Sequence, residues 1–298
     1  MDFIHEAAAL FAAFCWSVTG LLANAPVRHL GAFTFTRYRM TVAVIIFAVL
    51  ITATGRWEGL DAWMLLPTLA SGFMGILLGD CALFLTQFRM GPRRTALLFA
   101  TNAPMSVILG WLILGESLTF QALAGLVITF AGVMLAIAFG RGKPNLHAWE
   151  EVRGSLAVGI ALGLSAAFLQ SAGSLLARPV MQAGADPLMV SFIRAGTSVI
   201  GLHALSLLPF AFFKPRNPLT MPSALALSTS AIFGMGLGMT LVLYALAGGN
   251  VGIVATLSAT SPAMQLPLIW LRTGERPTGT AWIGAILAVI GSGMIFMR

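Results

Sequence analysis

The sequence has 298 residues, of which 58% are hydrophobic and 9% are charged, and its formal net charge is +7. A soluble domain would carry about a quarter charged residues to keep its surface wetted, so this composition excludes an ordinary soluble protein. The basic residues are scattered singly between hydrophobic segments, and this pattern excludes a nucleic-acid-binding stripe.

Ten hydrophobic segments are predicted to be membrane-spanning helices. A helix needs about 20 apolar residues to cross about 30 Å of hydrocarbon. In chain order, the predicted helices cover residues 6–25, 33–54, 63–88, 95–114, 119–139, 154–177, 187–212, 222–247, 251–271 and 280–297. Backbone groups inside a bilayer must be satisfied locally, and the alternating pattern of a barrel strand is absent. The sequence therefore predicts an all-α membrane protein with ten transmembrane helices.

The longest separator between these segments lies at the middle of the chain. It alone combines several charges of both signs, and it divides the ten helices into two sets of five. We predict a first repeat at residues 1–140, a linker at 141–153 and a second repeat at 154–298.

The two halves carry the same landmarks in the same order. Each landmark of the first half returns 157 to 159 residues later. The matched landmarks are Arg37 with Arg194, Gly91 with Gly249, Pro104 with Pro262, Gly115 and Glu116 with Gly274 and Glu275, Gly125 with Gly284, and Gly132 with Gly291. Because each half holds an odd number of helices, the second half enters the membrane from the opposite side. The sequence therefore predicts two inverted five-helix repeats, an architecture of many secondary transporters, with the substrate site near the midplane.

These landmarks resemble the EamA repeat of the drug/metabolite transporter superfamily. The resemblance rests on Trp16 in the first helix, on Pro104 and Pro262 in the fourth helix of each half, and on Gly-Glu before a glycine-rich fifth helix. It covers essentially the whole chain, and the size and aromatic content are most similar to the YddG-type exporters of aromatic amino acids. The resemblance implies a multi-pass protein of the bacterial inner membrane that exports amino acids or similar metabolites by alternating access. It implies neither an enzyme nor a cofactor.

The first helix departs from one pattern within that superfamily. The small multidrug-resistance relatives exchange protons on a glutamate within this helix. This chain instead has Cys15, Trp16 and Ser17 at the middle of the helix, and its Glu6 lies near the end. We therefore expect no proton coupling of that kind.

Asp80 is the acidic residue that lies deepest within a predicted helix. An ionised side chain at the centre of a bilayer costs about 3 kcal/mol or more, so an intramembrane acid is a functional candidate. Asp80 is expected to bind a substrate ammonium group or a proton, or else to reach water or Arg89 near the helix end. The repeat mates Arg37 and Arg194 are expected either to pair with a substrate carboxylate or to anchor their helices at the interface.

A substrate cavity is predicted where the halves meet, lined by the first, third, fourth, sixth, eighth and ninth helices. Deep aromatic residues are expected to form its wall, with core or lipid packing as the alternative: Trp16, Phe84, Phe99 and Tyr244. Polar groups in lipid need partners, and the cavity supplies them for Asp80, Asn102, Gln170, Ser174, Thr256, Ser258 and Gln265. Pro104 and Pro262 are expected to kink their helices, either for gating or only for packing. The fifth and tenth helices, which are almost free of polar groups, are expected to pack away from the cavity.

The predicted function is secondary transport, with a small-molecule substrate and the lipid bilayer as partners. The histidines are dispersed and no P-loop occurs, so neither a metal centre nor an ATP-driven pump is expected. A membrane-embedded transferase and a channel are the alternatives; the first needs clustered acids or histidines, and the second needs rings of polar residues. The sequence leaves the oligomeric state open and is compatible with a monomer.

Overall fold

The computed structural model describes residues 4–57, 59–115, 119–139, 152–248, 257–274 and 276–296, and the regular structure within these ranges is helical throughout. Some of the sequence predictions concern other residues. Those outside the described residues are Thr256 of the predicted site, Glu116, Gly249 and Glu275 of the repeat, and all of the linker except Val152 and Arg153.

Five helices form the first half of the chain. Helices α1 and α2 cover Ile4–Leu30 and Ala32–Thr54, and α3 covers Ala62–Met90. Helix α4 consists of two segments, Pro92–Phe99 and Asn102–Leu114, and α5 covers Phe120–Phe139.

Five helices also form the second half. Helices α6 and α7 cover Leu156–Gln182 and Pro187–Leu207, and α8 consists of Met221–Ala231, Ile232–Met239 and Thr240–Gly248. Helices α9 and α10 cover Ser261–Thr273 and Gly279–Phe296. The predicted end of the seventh helix at residue 212 is wrong. Leu208 already has an extended backbone, because the proline that follows it disfavours the helical conformation.

The helix lengths fit a protein that crosses a membrane several times. Seven helices, α1 to α4 and α6 to α8, are long and apolar enough to cross. Helices α5 and α10 are apolar but shorter, and the described part of α9 has 13 residues. Large apolar side chains face outward on several helices, among them Phe120, Leu207 and Leu271, which are 86%, 83% and 82% exposed. The predicted number of helices is confirmed, and within the described residues length and composition support seven crossings.

Helices α3 and α8 each contain a π-helical segment, which hydrophobic periodicity does not predict. The segments are Gly72–Leu78 and Ile232–Met239, and they occupy corresponding places in the two halves. The first segment contains two glycines and the second contains three. A π turn adds a residue to the helical turn and shifts carbonyl groups out of the regular hydrogen-bond pattern.

Helices α5 and α10 pack directly against each other through glycines. A methyl group built on Gly125 would lie 2.6 Å from the carbonyl oxygen of Gly291, and one on Gly132 would lie 2.7 Å from that of Gly284. The sequence repeat matches Gly125 with Gly284 and Gly132 with Gly291, so each contact maps onto the other when the halves are exchanged. The two equivalent helices are therefore antiparallel, as inverted repeats require, and their small residues let the backbones approach closely.

Helices α2 and α7 form a second antiparallel contact between the halves. Phe47 of α2 packs with Ala195 of α7, whereas Met40 packs with Leu202. This contact brings two arginines toward the interior, Arg39 of α2 and Arg194 of α7. Each of them lies seven residues after the first residue of its helix.

Candidate functional site

Asp80 forms a buried ion pair with Arg39 of α2. Nη1 of Arg39 donates a hydrogen bond to Oδ2 of Asp80 over 3.2 Å, and the two side chains are 7% and 17% exposed. Asp80 lies ten residues before the end of α3 at Met90, which corresponds to about 15 Å of helix. The structure therefore pairs Asp80 with a residue of another helix and not with Arg89.

Arg194 of α7 reaches the same region from the second half. A methyl group built on Gly75 of α3 would lie 3.3 Å from Nη2 of Arg194 and 3.5 Å from Oε1 of Gln170 on α6. The missing side chain of Gly75 thus makes room for both polar groups, five residues before Asp80 on α3. We call Arg39, Asp80, Gln170 and Arg194 the Asp80 cluster. It takes two residues from each half of the chain.

Trp16 of α1 borders this cluster on the side of α8. Its Nε1 donates a hydrogen bond to the carbonyl oxygen of Gly234 over 3.0 Å, and Gly234 belongs to the π segment of α8. A methyl group built on Gly234 would lie 2.8 Å from Nη2 of Arg39. The backbone at Gly234 is therefore in contact with both Trp16 and Arg39.

Phe84 packs its ring against the guanidinium group of Arg39 and is buried, so it does not line an open cavity. The guanidinium carbon of Arg39 lies 5.1 Å from the centre of the Phe84 ring. Phe84 is 3% exposed, and its ring packs edge-on against Phe35 at 4.7 Å between ring centres. Of the predicted site residues, the structure thus brings Trp16, Asp80, Phe84 and Gln170 to one place.

Asn102 lies where α4 is interrupted. The hydroxyl of Thr101 donates to the carbonyl oxygen of Leu98 over 2.6 Å, and the hydroxyl of Ser171 on α6 donates to the carbonyl oxygen of Asn102 over 3.0 Å. Polar side chains at the interruption therefore add hydrogen bonds to backbone carbonyl groups where the regular helical pattern ends. Asn102 joins α4 to α6 here.

The same interruption occurs before α9. The hydroxyl of Thr260 donates to the carbonyl oxygen of Leu257 over 2.6 Å, as that of Thr101 does to Leu98. Pro104 and Pro262 follow these two interruptions and lie in the first turn of the next helical segment. Each proline thus lies directly after the break in its helix, and a kink there, for gating or only for packing, stays a prediction. A first-turn proline fits the helix, because its missing N–H has no partner there in any case.

Gln265 belongs to a second polar contact. Its side chain is 3% exposed and touches Gly20 of α1, and Nε2 of Gln87 on α3 donates to the carbonyl oxygen of Gly20 over 2.6 Å. Oε1 of Gln265 is buried without a hydrogen-bond partner among the described residues. This contact joins α1, α3 and α9.

The other predicted site residues are more exposed. Tyr244 is 46% exposed, and its ring centre lies 5.2 Å from that of His5. Ser174 is exposed and donates to the carbonyl oxygen of Gln170 on its own helix over 2.9 Å. Phe99 and Ser258 are partly buried beside the interruptions of α4 and α9.

Sequence reasoning missed Arg39, the partner of Asp80. A signal for it was present, because Arg39 lies within the predicted helix 33–54 and a charged residue in a membrane helix is costly whatever its sign. The repeat offset instead favoured Arg37, because Arg37 is the residue that it matches with Arg194. In the structure, the guanidinium of Arg37 lies 4.9 Å from the ring centre of Tyr38.

Two wide grooves lie away from the Asp80 cluster. One of about 750 Å³ is lined by residues that include Phe33, Phe88 and Arg216. The other, of about 670 Å³, is lined by residues that include Phe168 and Arg178. Neither groove is lined by a residue of the cluster, so the cluster does not open into either of them in this conformation.

Comparisons with known proteins agree on the architecture. The sequence profile of the EamA-like transporter family matches residues 4–138 and 157–297. An uncharacterized transporter of Archaeoglobus fulgidus is 27% identical over 135 residues, which are 45% of this chain and 48% of that protein, so the match spans about half the length of this relative. A crystal structure of a protein superposes with a TM-score of 0.69 at 18% identity, covering 97% of this chain and 95% of the other. That likeness shows the fold alone.

Proposed function

The chain belongs to the EamA-like transporter family, and we propose that it is a secondary transporter that exports small amphiphilic molecules across a bacterial inner membrane by alternating access. The substrate class we propose is amino acids with aromatic or other apolar side chains. In this proposal, the repeats are residues 1–140 and 154–298, joined by 141–153, and all ten helices cross the membrane.

Matching interruptions of the helices in the two repeats carry this proposal. Helices α3 and α8 contain π segments, and the same hydroxyl-to-carbonyl hydrogen bond occurs at Thr101, in the break of α4, and at Thr260, directly before α9. Irregular backbone at membrane depth is tolerated only where it is buried in protein or lines a cavity. In secondary transporters, interrupted helices at corresponding places of inverted repeats form the substrate site. The Asp80 cluster lies beside both π segments and takes residues from both repeats.

The geometry favours a carrier over the two alternatives. A channel needs a polar lining that continues across the membrane, whereas the Asp80 cluster is bordered by Phe84 and Trp16. A transferase needs clustered acids or histidines. Asp80 instead has two arginines around it, and arginine does not exchange protons in proteins.

Efflux from proteoliposomes tests the proposed function. Purified protein is reconstituted with a panel of labelled amino acids inside, and release is compared with that from protein-free liposomes. We expect faster release of phenylalanine, tryptophan and leucine than of aspartate and lysine. Equal release from liposomes with and without protein for every member of the panel would refute the proposed substrate class.

Cysteine accessibility tests the part of the predicted cavity that lies outside the Asp80 cluster. On a background without Cys15 and Cys81, Phe99→Cys, Asn102→Cys, Tyr244→Cys and Ser258→Cys are expected to react with a small polar thiol reagent and to be protected by phenylalanine. Val127→Cys on α5 and Ile290→Cys on α10 serve as controls, because both positions are exposed on helices away from the cluster and are expected to face lipid. Reaction at the two controls with none at the four test positions would place the site elsewhere.

A further inference from the structure

The Asp80 cluster has an excess of positive charge. It contains two guanidinium groups and one carboxylate. The carboxylate of Asp80 is hydrogen-bonded to Arg39, and within the described part of the chain Arg194 forms no ion pair. One positive charge of the cluster is therefore not balanced by the described residues.

An unbalanced charge at this depth needs a counter-charge. A buried ion is tolerated in a protein when it is paired and hydrogen-bonded. Nε of Arg194 is buried and has no hydrogen-bond partner among the described residues. Its Nη2 lies beside Gly75 together with the carboxamide of Gln170. A guanidinium presents paired N–H donors whose geometry matches that of a carboxylate.

We propose that Arg194 binds the carboxylate of the transported molecule, with the carboxamide of Gln170 beside it, so that the transporter selects substrates with a negatively charged end. This inference rests on the proposed function, because it assigns the polar end of that substrate. Asp80 is already satisfied by Arg39 and holds that arginine away from the substrate. The substrate carboxylate then places a negative charge beside the guanidinium of Arg194, which forms no ion pair among the described residues.

Ligands that share one skeleton and differ in charge test this assignment. Binding to the purified full-length protein is measured for 3-phenylpropionate, 3-phenylpropanamide and 3-phenylpropylamine, and for hexanoate and hexanamide as an aliphatic pair. Hydrogen bonds to a charged group are worth about 1.5 to 3 kcal/mol, so each carboxylate is expected to bind about tenfold or more tightly than its amide. The amine is expected to bind more weakly than the amide.

Variants of Arg194 test whether this residue causes the preference for carboxylates over amides. Arg194→Gln is expected to lower the affinity for each carboxylate to the affinity for its amide. Arg194→Lys is expected to retain part of the preference for the carboxylate. Arg37→Gln is the matched control, because Arg37 stacks on Tyr38 and lies outside the cluster. Asp80→Asn is expected to bind the carboxylates at least as tightly as the wild type, since it adds to the excess of positive charge.

The outcomes separate this inference from the proposed function. Equal affinities of carboxylate and amide in both pairs, or an unchanged preference in folded Arg194→Gln and Arg194→Lys, would overturn the assignment even if amino acids are exported. A preference that holds for hexanoate and is lost in Arg194→Gln would support the assignment even if aromatic compounds do not bind and the proposed substrate class fails.

Discussion

Arg39 and Asp80 stabilise the protein only as a pair. Each loses hydration on burial, and the 3.2 Å hydrogen bond between them compensates part of that loss. Removal of one partner leaves the other charge uncompensated and typically costs about 3 to 5 kcal/mol, whereas replacement of both is often close to neutral. A change in the charge of either residue alone is therefore expected to destabilise the contact between α2 and α3.

We expect Asp80→Asn to fold, to unfold at a lower temperature than the wild type, and to export substrate more slowly from about pH 5 to about pH 8. The double variant Arg39→Gln, Asp80→Asn keeps the net charge of the cluster and is expected to regain most of the lost stability and part of the export rate. Thermal unfolding in detergent and efflux from proteoliposomes measure the two effects. Wild-type export by well-folded Asp80→Asn would remove Asp80 from the transport site.

Single residues were predictable to different degrees. Asp80 was identified from its depth in an uncharged segment, and the structure places it among buried charges. Its partner was not predictable, because the pairing of Arg39 with Asp80 depends on how α2 and α3 are rotated against each other. Hydrophobic periodicity fixes such rotation poorly in a membrane, where apolar side chains face both lipid and protein.

The helices are positioned by close contacts at glycines. A methyl group built on Gly173 of α6 would lie 2.6 Å from Cα of Gly75 and 3.1 Å from the carbonyl oxygen of Ser71. The hydroxyl of Ser71 donates to the carbonyl oxygen of Gly173 over 2.6 Å. This contact holds α6 against the start of the π segment of α3 and so sets the distance between Gln170 and Gly75.

Gly173→Ala is expected to destabilise the protein by about 1 to 3 kcal/mol, because the atoms that the new methyl group meets are backbone atoms that cannot turn aside. Gly196→Ala on α7 is the matched control. Beyond the neighbouring backbone of its own helix, no atom of the described residues lies within 4 Å of the methyl group it would add, so this variant is expected to be neutral or slightly stabilising. Thermal unfolding of the two variants in the same detergent provides the comparison; equal melting temperatures would mean that the α3–α6 contact adjusts freely.

The existence of the helices was predictable from sequence, and their interruptions were not. Ten apolar segments of sufficient length predict ten helices. The π segments at Gly72–Leu78 and Ile232–Met239 have compositions that an ordinary membrane helix also has. The breaks beside Thr101 and Thr260 depend on hydroxyl hydrogen bonds to carbonyl groups, and such bonds occur in continuous helices as well.

The whole molecule has a basic side. The guanidinium carbons of Arg153 and Arg216 lie 5.0 Å and 4.7 Å from the ring centre of Phe88, so basic residues from the middle of the chain and from the segment after α7 meet at the end of α3. Lysine and arginine are concentrated at and after the ends of odd-numbered helices and at the start of α4. Cytoplasmic loops carry such an excess, which predicts that this side faces the cytoplasm.

This orientation places both chain ends outside the cytoplasm. A reporter that is active only in the cytoplasm, fused after Arg298, is expected to be inactive, whereas the same reporter inserted in the central linker at 141–153 is expected to be active. The opposite pair of results would invert the assigned orientation.

The repeat was the most predictable feature of the molecule. The offset that matches Gly125 with Gly284 also predicts which glycines meet across α5 and α10 once the halves are antiparallel, and the structure shows those contacts. The offset did not predict the asymmetry of the site. The second half has Leu237 and Gly238 at the positions 157 and 158 residues after Asp80, so no acidic residue of the second repeat corresponds to Asp80.

Counterflow in proteoliposomes tests alternating access most directly. Vesicles that contain the protein are loaded with unlabelled phenylalanine, diluted into buffer with a trace of labelled phenylalanine, and compared with vesicles loaded with glycine. A carrier returns its empty site slowly and exchanges one substrate molecule for another quickly, so the labelled compound is expected to accumulate transiently in the vesicles loaded with phenylalanine. Uptake of label that is the same for both internal solutes, or absent from both, would contradict an alternating-access transporter of aromatic amino acids.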